Sequence, residues 1–357
     1  MDLACQPEFD RVIERIAAWF ECQIVDRPVV QVTAPKPMSE CLDYPAHKEH
    51  ATLEERWTDV EYTVAGTDVS IQNTYYAGEA VPMFFPNLGP EILANMLGCD
   101  IEFGEVTTWS APLIRSWDEP WRELKIDRNN RWLELLVRMT KLGLEVGRGK
   151  WLTGITDIHP GGDLVAALRD PQQLCLDLLD CPENVKDLIR VTEPAWYEVF
   201  EAQYALMREA GQGTTTWLSV YSPGTYYPTS NDFSCMIGKE AFDEFFLDEL
   251  AREWRWLDHS LYHLDGPGAI RHLDSLLAAP DLNGIQWVPG AGSGPAVQWV
   301  DLLKRIQDAG KCIHFSVGAG EIDELIPHLR PEGVMFSTSA GSPEQADAIV
   351  AKVARWS

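Results

Sequence analysis

SLYHLDGPGAIRHLDSLLAAPDLNGIQWVPGAGSGP, residues 260–295, decides the fold. It opens on an apolar run, Ser260 to Leu264, and breaks at Asp265-Gly266-Pro267-Gly268. A stretch of helical spacing follows, and a second short apolar run, Gly284 to Val288, closes on PGAGSGP. Strand, helix, strand within some thirty residues is the signature of a right-handed parallel βαβ unit. Working outward, the same unit recurs. Towards the C-terminus come Cys312 to Ser316, ending in VGAG, and Gly333 to Ser337, ending in TSAG. Towards the N-terminus the candidate strands are Thr214 to Val220, Trp151 to Thr156 before DIHPGGD, Val81 to Phe85 before PNLGP, and Pro28 to Thr33. Eight such units predict a TIM-type (β/α)8 barrel of the α/β class, because eight parallel strands close on themselves.

The rest of the chain is read as additions to that barrel. Residues 1–27 carry a helical pattern and are expected to pack on it. Thr52 to about Asp59 and about Pro182 to Ala210 read as helices, as does Lys239 to Arg255. Residues 68–76 and 100–108 read as inserted lid strands. No linker rich in Gly, Pro and Ser divides the chain, so residues 1–357 are expected to form one domain.

Composition narrows the function. Fifty-five acids against twenty-nine bases give a formal charge of -26. Such a chain repels a phosphate backbone and an anionic bilayer surface, so neither nucleic acid nor membrane is an expected partner. No apolar run is long enough to span a bilayer, and the first twenty residues lack a signal-peptide pattern. The eight cysteines are scattered without a C-x-x-C pair, and read as reduced thiols of a cytoplasmic protein.

In a β/α barrel the reacting groups stand just beyond the strand C-termini. That rule selects His263 and Asp265, two apart at a strand end and therefore on one side of it. The pair suits a metal site or proton transfer; the competing reading is a core histidine followed by a helix-capping aspartate. Asp157 and His159 repeat the spacing at another strand end, where they would complete a metal site across the mouth or act as acid and base. Asp163 either joins them or caps the next helix. Cys235 is a weaker candidate for a sulfur ligand. Among fourteen tryptophans, Trp109, Trp217 and Trp287 read singly as core residues and as a group as flat walls of a substrate pocket, and Tyr226 and Tyr227 either supply phenols from a loop or pack at its solvent edge. Gly290, Gly292 and Gly318 lie in loops whose free N–H groups would hold an anionic substituent, or which serve only to let the chain turn.

YHLDGPGAIRHLD (262–274) and DIHPGGDLVAALRDPQQLCLDLLDCPENV (157–185) resemble the uroporphyrinogen decarboxylase superfamily. The resemblance implies a β/α barrel and one of two activities: decarboxylation of a porphyrin precursor, or methyl transfer involving a corrinoid carried by a partner protein. The R-Q-A-G-R-Y segment that grips substrate carboxylates in the decarboxylases is absent, with QVTAPKPMSE (31–40) in its place. The chain is closer to the methyltransferase branch. That branch implies zinc held by H-x-C and by a cysteine after the last strand. Here the first pair is His263-x-Asp265, and the last strand ends STSAG without cysteine. The implied site is therefore either harder than a thiolate site, for zinc or another divalent metal, or no metal site at all. A carboxy-lyase and a non-catalytic ligand-binding barrel stand as alternatives.

Overall fold

The computed structural model describes residues 3–290 and 292–356. Its strands are β1 (Val29–Pro35), β2 (Thr74–Gly78), β3 (Met83–Phe84), β4 (Asp100–Phe103), β5 (Thr108–Ala111), β6 (Leu152–Thr153), β7 (Tyr226–Ser230), β8 (His259–Asp265), β9 (Gly284–Val288), β10 (Cys312–Ser316) and β11 (Val334–Ser339). Seven of them form one sheet in the order β2-β1-β11-β10-β9-β8-β7. All neighbours in it are parallel except β1 with β2. β3 pairs with β6 in parallel, and β4 with β5 as an antiparallel hairpin. The chain is thus a mixed α/β protein built on a largely parallel sheet.

Side chains alternate across the sheet with the period of two that a strand imposes. One face gives Val30, Val32, Tyr262, Leu264, Ile285, Ile313, Phe315, Val334 and Phe336 to the large core beneath the helices. Each such side chain contributes about 1.5–3 kcal/mol by leaving water. The opposite face holds a second core, where Val29, Tyr226, Leu261, Cys312 and Met335 meet Val81, Leu152 and the helix Phe9–Phe20 through Phe9, Val12, Ile16 and Trp19. The N-terminal helix therefore plugs the floor of the inner face. Gly284 is fixed by this layer, since a Cβ there would stand 2.2 Å from Cys312 Sγ and 2.4 Å from its carbonyl oxygen.

Above the apolar floor the inner face turns polar. Ser230, His263, Gln286 and His314 are successive cross-strand neighbours on β7, β8, β9 and β10, and Gln31 on β1 faces Ser337 on β11. A layer of hydrogen-bonding side chains thus lies between the floor and the strand C-termini.

Several expected elements are displaced. Residues 214–220 are not a strand: Thr214 makes only an isolated antiparallel bridge to Ser222, and Ser219 adopts a left-handed backbone (φ 52°). The strand of that unit is β7, at 226–230. Residues 68–72, expected as strand, end the helix Val60–Gln72, whose N-cap Asp59 accepts from Tyr62 N; the strand begins only at Thr74. The helix expected over Lys239 to Arg255 is broken at Phe246 into Lys239–Phe245 and Leu247–Trp256. The hairpin expected near 100–108 is present as β4 and β5, and the long helix runs Pro182–Glu209 with Pro at its start, where the missing N–H is harmless. No helix among the described residues is long and apolar enough to cross a membrane.

Candidate active site

β8 delivers His263 and Asp265 to its C-terminal end, both half-buried. His263 Nδ1 hydrogen-bonds Gln286 Oε1. Because the partner is a carboxamide oxygen, Nδ1 carries the proton and Nε2 keeps its lone pair, the arrangement a metal-ligating imidazole requires. Asp265 stands at the N-cap of the short helix Gly266–Ala269, yet its side chain makes no capping bond. Its carboxyl is pushed up by burial and by Asp232, with His263 pulling it back.

Asp232 opens the 3-10 turn Asp232–Met236 just past β7. Its carboxylate, a His263 ring nitrogen and the Asp265 carboxylate all lie within 4.8 Å of one another. The third member of the cluster is therefore Asp232, not Asp157 or His159 as the repeated spacing implied. Asp163 holds it in place. The Asp163 carboxylate accepts from Asp232 N (3.0 Å), Phe233 N (2.8 Å) and Ser230 Oγ (3.2 Å), and Ser230 Oγ also reaches Asp232 Oδ1 at 3.1 Å. Burial and Asp232 together raise Asp163 to about 6.

Asp157 and His159 pair with each other, Nε2 to Oδ1 at 2.5 Å. Burial alone would depress the imidazole, but Asp157, then Asp163 and Asp232, outweigh it and raise His159 to about 9. Trp217 joins this pair to the cluster: its ring meets His159 edge-on at 5.6 Å and His263 at 6.5 Å between centroids. The turn at 214–220 that replaces the expected strand is what brings Trp217 there.

Two cavities open beside these residues. One, of about 490 Å³, is lined by His159, Asp163, Asp232, Glu91, Asp170, Phe233, Met236 and the half-exposed Trp109. The other, of about 430 Å³, is lined by Trp217 with Gln31, Thr33, Tyr76, His314, Ser337 and Thr338 among others. Among the described residues no Lys or Arg lines either cavity.

Other expected site residues lie elsewhere. Tyr226 is fully buried in the floor, 5.6 Å from the Phe20 ring. Tyr227, also fully buried, faces the outer core and accepts a hydrogen bond from Ile158 N at 2.7 Å, so it anchors the 157–159 segment from behind. Trp287 packs edge-on against Trp299 at 5.0 Å under the outer helices. These three form no pocket wall, because alternation on their strands turns them away from the mouth or down into the floor. Cys235 is exposed, feels Asp232, Asp163 and Asp265, and does not join the ligand cluster. Gly290 and Gly292 take left-handed backbones (φ 81° and 79°) in their loop. Of the expected anion-binding loop N–H groups, that of Gly318 is taken by the chain itself: the Glu321 carboxylate accepts from Gly318 N and from Ala296 N, each at 2.6 Å.

No protein-family model matches the sequence, and no curated protein matches it. Among solved structures, one described as a methyltransferase from Methanosarcina mazei superposes with a TM-score of 0.62 at 13% sequence identity, over 96% of this chain and 98% of that one. The two chains share a fold over nearly their whole length.

Proposed function

We propose that this chain is a methyltransferase-like enzyme of the uroporphyrinogen decarboxylase superfamily, which moves a methyl group between a small substrate and a corrinoid carried by a partner protein. The observation that carries the reading is the convergence of Asp232, His263 and Asp265 at one strand-end mouth. One imidazole and two carboxylates make a nitrogen and oxygen donor set, suited to zinc, iron or manganese and poorly suited to activating a thiol. The fold shared with the Methanosarcina mazei methyltransferase supports the same reading. A closed (β/α)8 barrel formed by residues 1–357 as one domain is supported by the inner core, which unites β1, β6, β7, β8, β10 and β11 around one helical plug. The proposed compartment is the cytoplasm.

Asp232, His263 and Asp265 would hold a divalent metal, which when bound would supply Lewis-acid chemistry to a substrate heteroatom. The chain's own residues do the rest. His159, protonated at neutral pH, lines the same cavity as Asp232 and would donate its proton to the substrate heteroatom as that atom keeps the bonding electron pair and the methyl group is given up as a cation. Asp157 keeps the imidazole charged and oriented. Trp109 and Phe233 give the acidic cavity apolar walls. A carboxy-lyase reading lacks equivalent support, because among the described residues no Lys or Arg lines either cavity and the charged His159 is already paired with Asp157.

The test is elemental analysis joined to a corrinoid assay. Protein purified without chelator is expected to hold about one divalent metal per chain, and to change the absorbance of added cobalamin when given O- or N-methylated substrates. Retained metal stoichiometry in an Asp232→Ala, His263→Ala double variant would sink the metal centre; metal with no methyl transfer across the substrate panel would leave a ligand-binding barrel instead.

A further inference from the structure

The second cavity differs in kind from the first. The 490 Å³ cavity carries four acidic side chains, whereas the 430 Å³ cavity is lined by Gln31, Thr33, Thr74, Tyr76, Ser316, Ser337 and other neutral groups, with no Asp, Glu, Lys or Arg. Trp217 lines the neutral cavity and meets His159 of the acidic one edge-on, so the indole stands between them. The neutral wall is organised by a chain of hydrogen bonds. Ser337 Oγ donates to Gln31 Oε1, and Gln31 Nε2 donates to the carbonyl of Ser219 at 2.9 Å. Ser219 is the non-glycine residue held at φ 52°, a conformation that such a residue keeps only where its surroundings enforce it.

That chain fixes the state of His314. With its own proton committed to Gln31, Ser337 Oγ can only accept from the ring, 2.8 Å away, so His314 Nε2 carries the proton. Burial, then His263, pushes His314 down to about 4, and the ring is neutral at neutral pH. Nδ1 is therefore a bare acceptor. It is buried in a side chain only 2% exposed, and it has no partner. Buried acceptors are nearly always satisfied in folded proteins, and an exception at a cavity wall points to a ligand.

We propose that this cavity is a binding site for a small uncharged ligand bearing a hydroxyl or carboxamide group that donates a hydrogen bond to His314 Nδ1. A charged group would leave water there without a counter-charge, and an aliphatic one would leave the acceptor unmet. The cavity adjoins the metal cluster through Trp217, whose ring lies 6.5 Å from that of His263, and, resting on the function proposed above, it would accept the neutral end of the substrate.

Acetamide is the probe, titrated into the metal-free full chain and followed by 15N NMR of the histidine rings. The Nδ1 signal assigned by its loss in His314→Gln is expected to move saturably at millimolar acetamide, whereas acetate and methylammonium act at least about tenfold more weakly. Ser337→Ala, which keeps the ring but frees its tautomer, is expected to weaken acetamide roughly tenfold. No saturable movement with acetamide, an equal response to acetate, or unchanged affinity in Ser337→Ala would each overturn the site.

Discussion

His263 and Gln286 face one another in register on adjacent strands, and the imidazole Nδ1 is hydrogen-bonded to the Gln286 carboxamide oxygen. This one contact fixes both the ring's orientation and its tautomer, and so leaves Nε2 for a metal. Gln286→Leu is expected to lower zinc affinity by about 10–100-fold, the usual cost of losing such an orienting partner, while Gln286→Glu keeps an acceptor and retains binding. Competition against a chromophoric chelator measures both. Equal affinities in wild type and Gln286→Leu would show that His263 does not ligate through Nε2.

The Asp157–His159 pair makes a prediction about pH. The folded state raises His159 from 6.5 to about 9, so the folded chain binds the proton more tightly than the unfolded one. The resulting stabilisation is complete below about 6.5, shrinks as pH rises, and is gone above about 9. For a pair this well covered it is on the order of 2 kcal/mol. The quantity to measure is the difference in urea stability between wild type and His159→Gln from pH 6 to 10, which cancels the other groups titrating in that range. A difference flat across the window would refute the raised imidazole.

Glu321 occupies the N–H groups of Gly318 and Ala296, which the glycine loops would otherwise offer to an anion. Glu321→Ala strips the acceptor from Ala296 N and Gly318 N and is expected to cost about 1 kcal/mol. It should also expose those N–H groups to an external anion. Inorganic phosphate is then expected to raise the melting temperature of Glu321→Ala and leave that of wild type unchanged. Stabilisation of both to the same degree would mean that the loops bind anions regardless of Glu321.

The strands read best in sequence are those whose alternation is driven by deep burial. β9 and β10 fall at Gly284–Val288 and Cys312–Ser316 as expected, because Ile285, Ile313 and Phe315 commit one face to the outer core. The unit between β6 and β8 misled for a physical reason. Thr214 to Val220 is rich in β-branched residues and favours a strand, whereas the true strand, Tyr226–Ser230, contains Pro228, which argues against one. Pro228 is tolerated because β7 lies at the end of the hydrogen-bonded order. The displaced strand hid Asp232: searching just past residue 230 instead of residue 220 would have selected it with His263 and Asp265. The hold of Glu321 on the Ala296 N–H was beyond reach in another way, since the two meet only through tertiary packing across 25 residues.

Asp163 offers the sharpest test of how the cluster is held together. It is no member of the ligand trio, yet its carboxylate gathers Asp232 N, Phe233 N and Ser230 Oγ, and these bonds place the turn that presents Asp232. Asp163→Ala removes all three acceptor contacts and is expected to lower metal affinity about tenfold by loosening Asp232. Asp163→Asn keeps one carbonyl oxygen to accept from a backbone N–H and should recover most of that loss. The rescue separates positioning from charge. If charge alone mattered, both variants would weaken the metal equally, since each removes one negative charge beside it. If Asp163 were merely a helix-start residue, neither would change metal affinity, and only urea stability would fall.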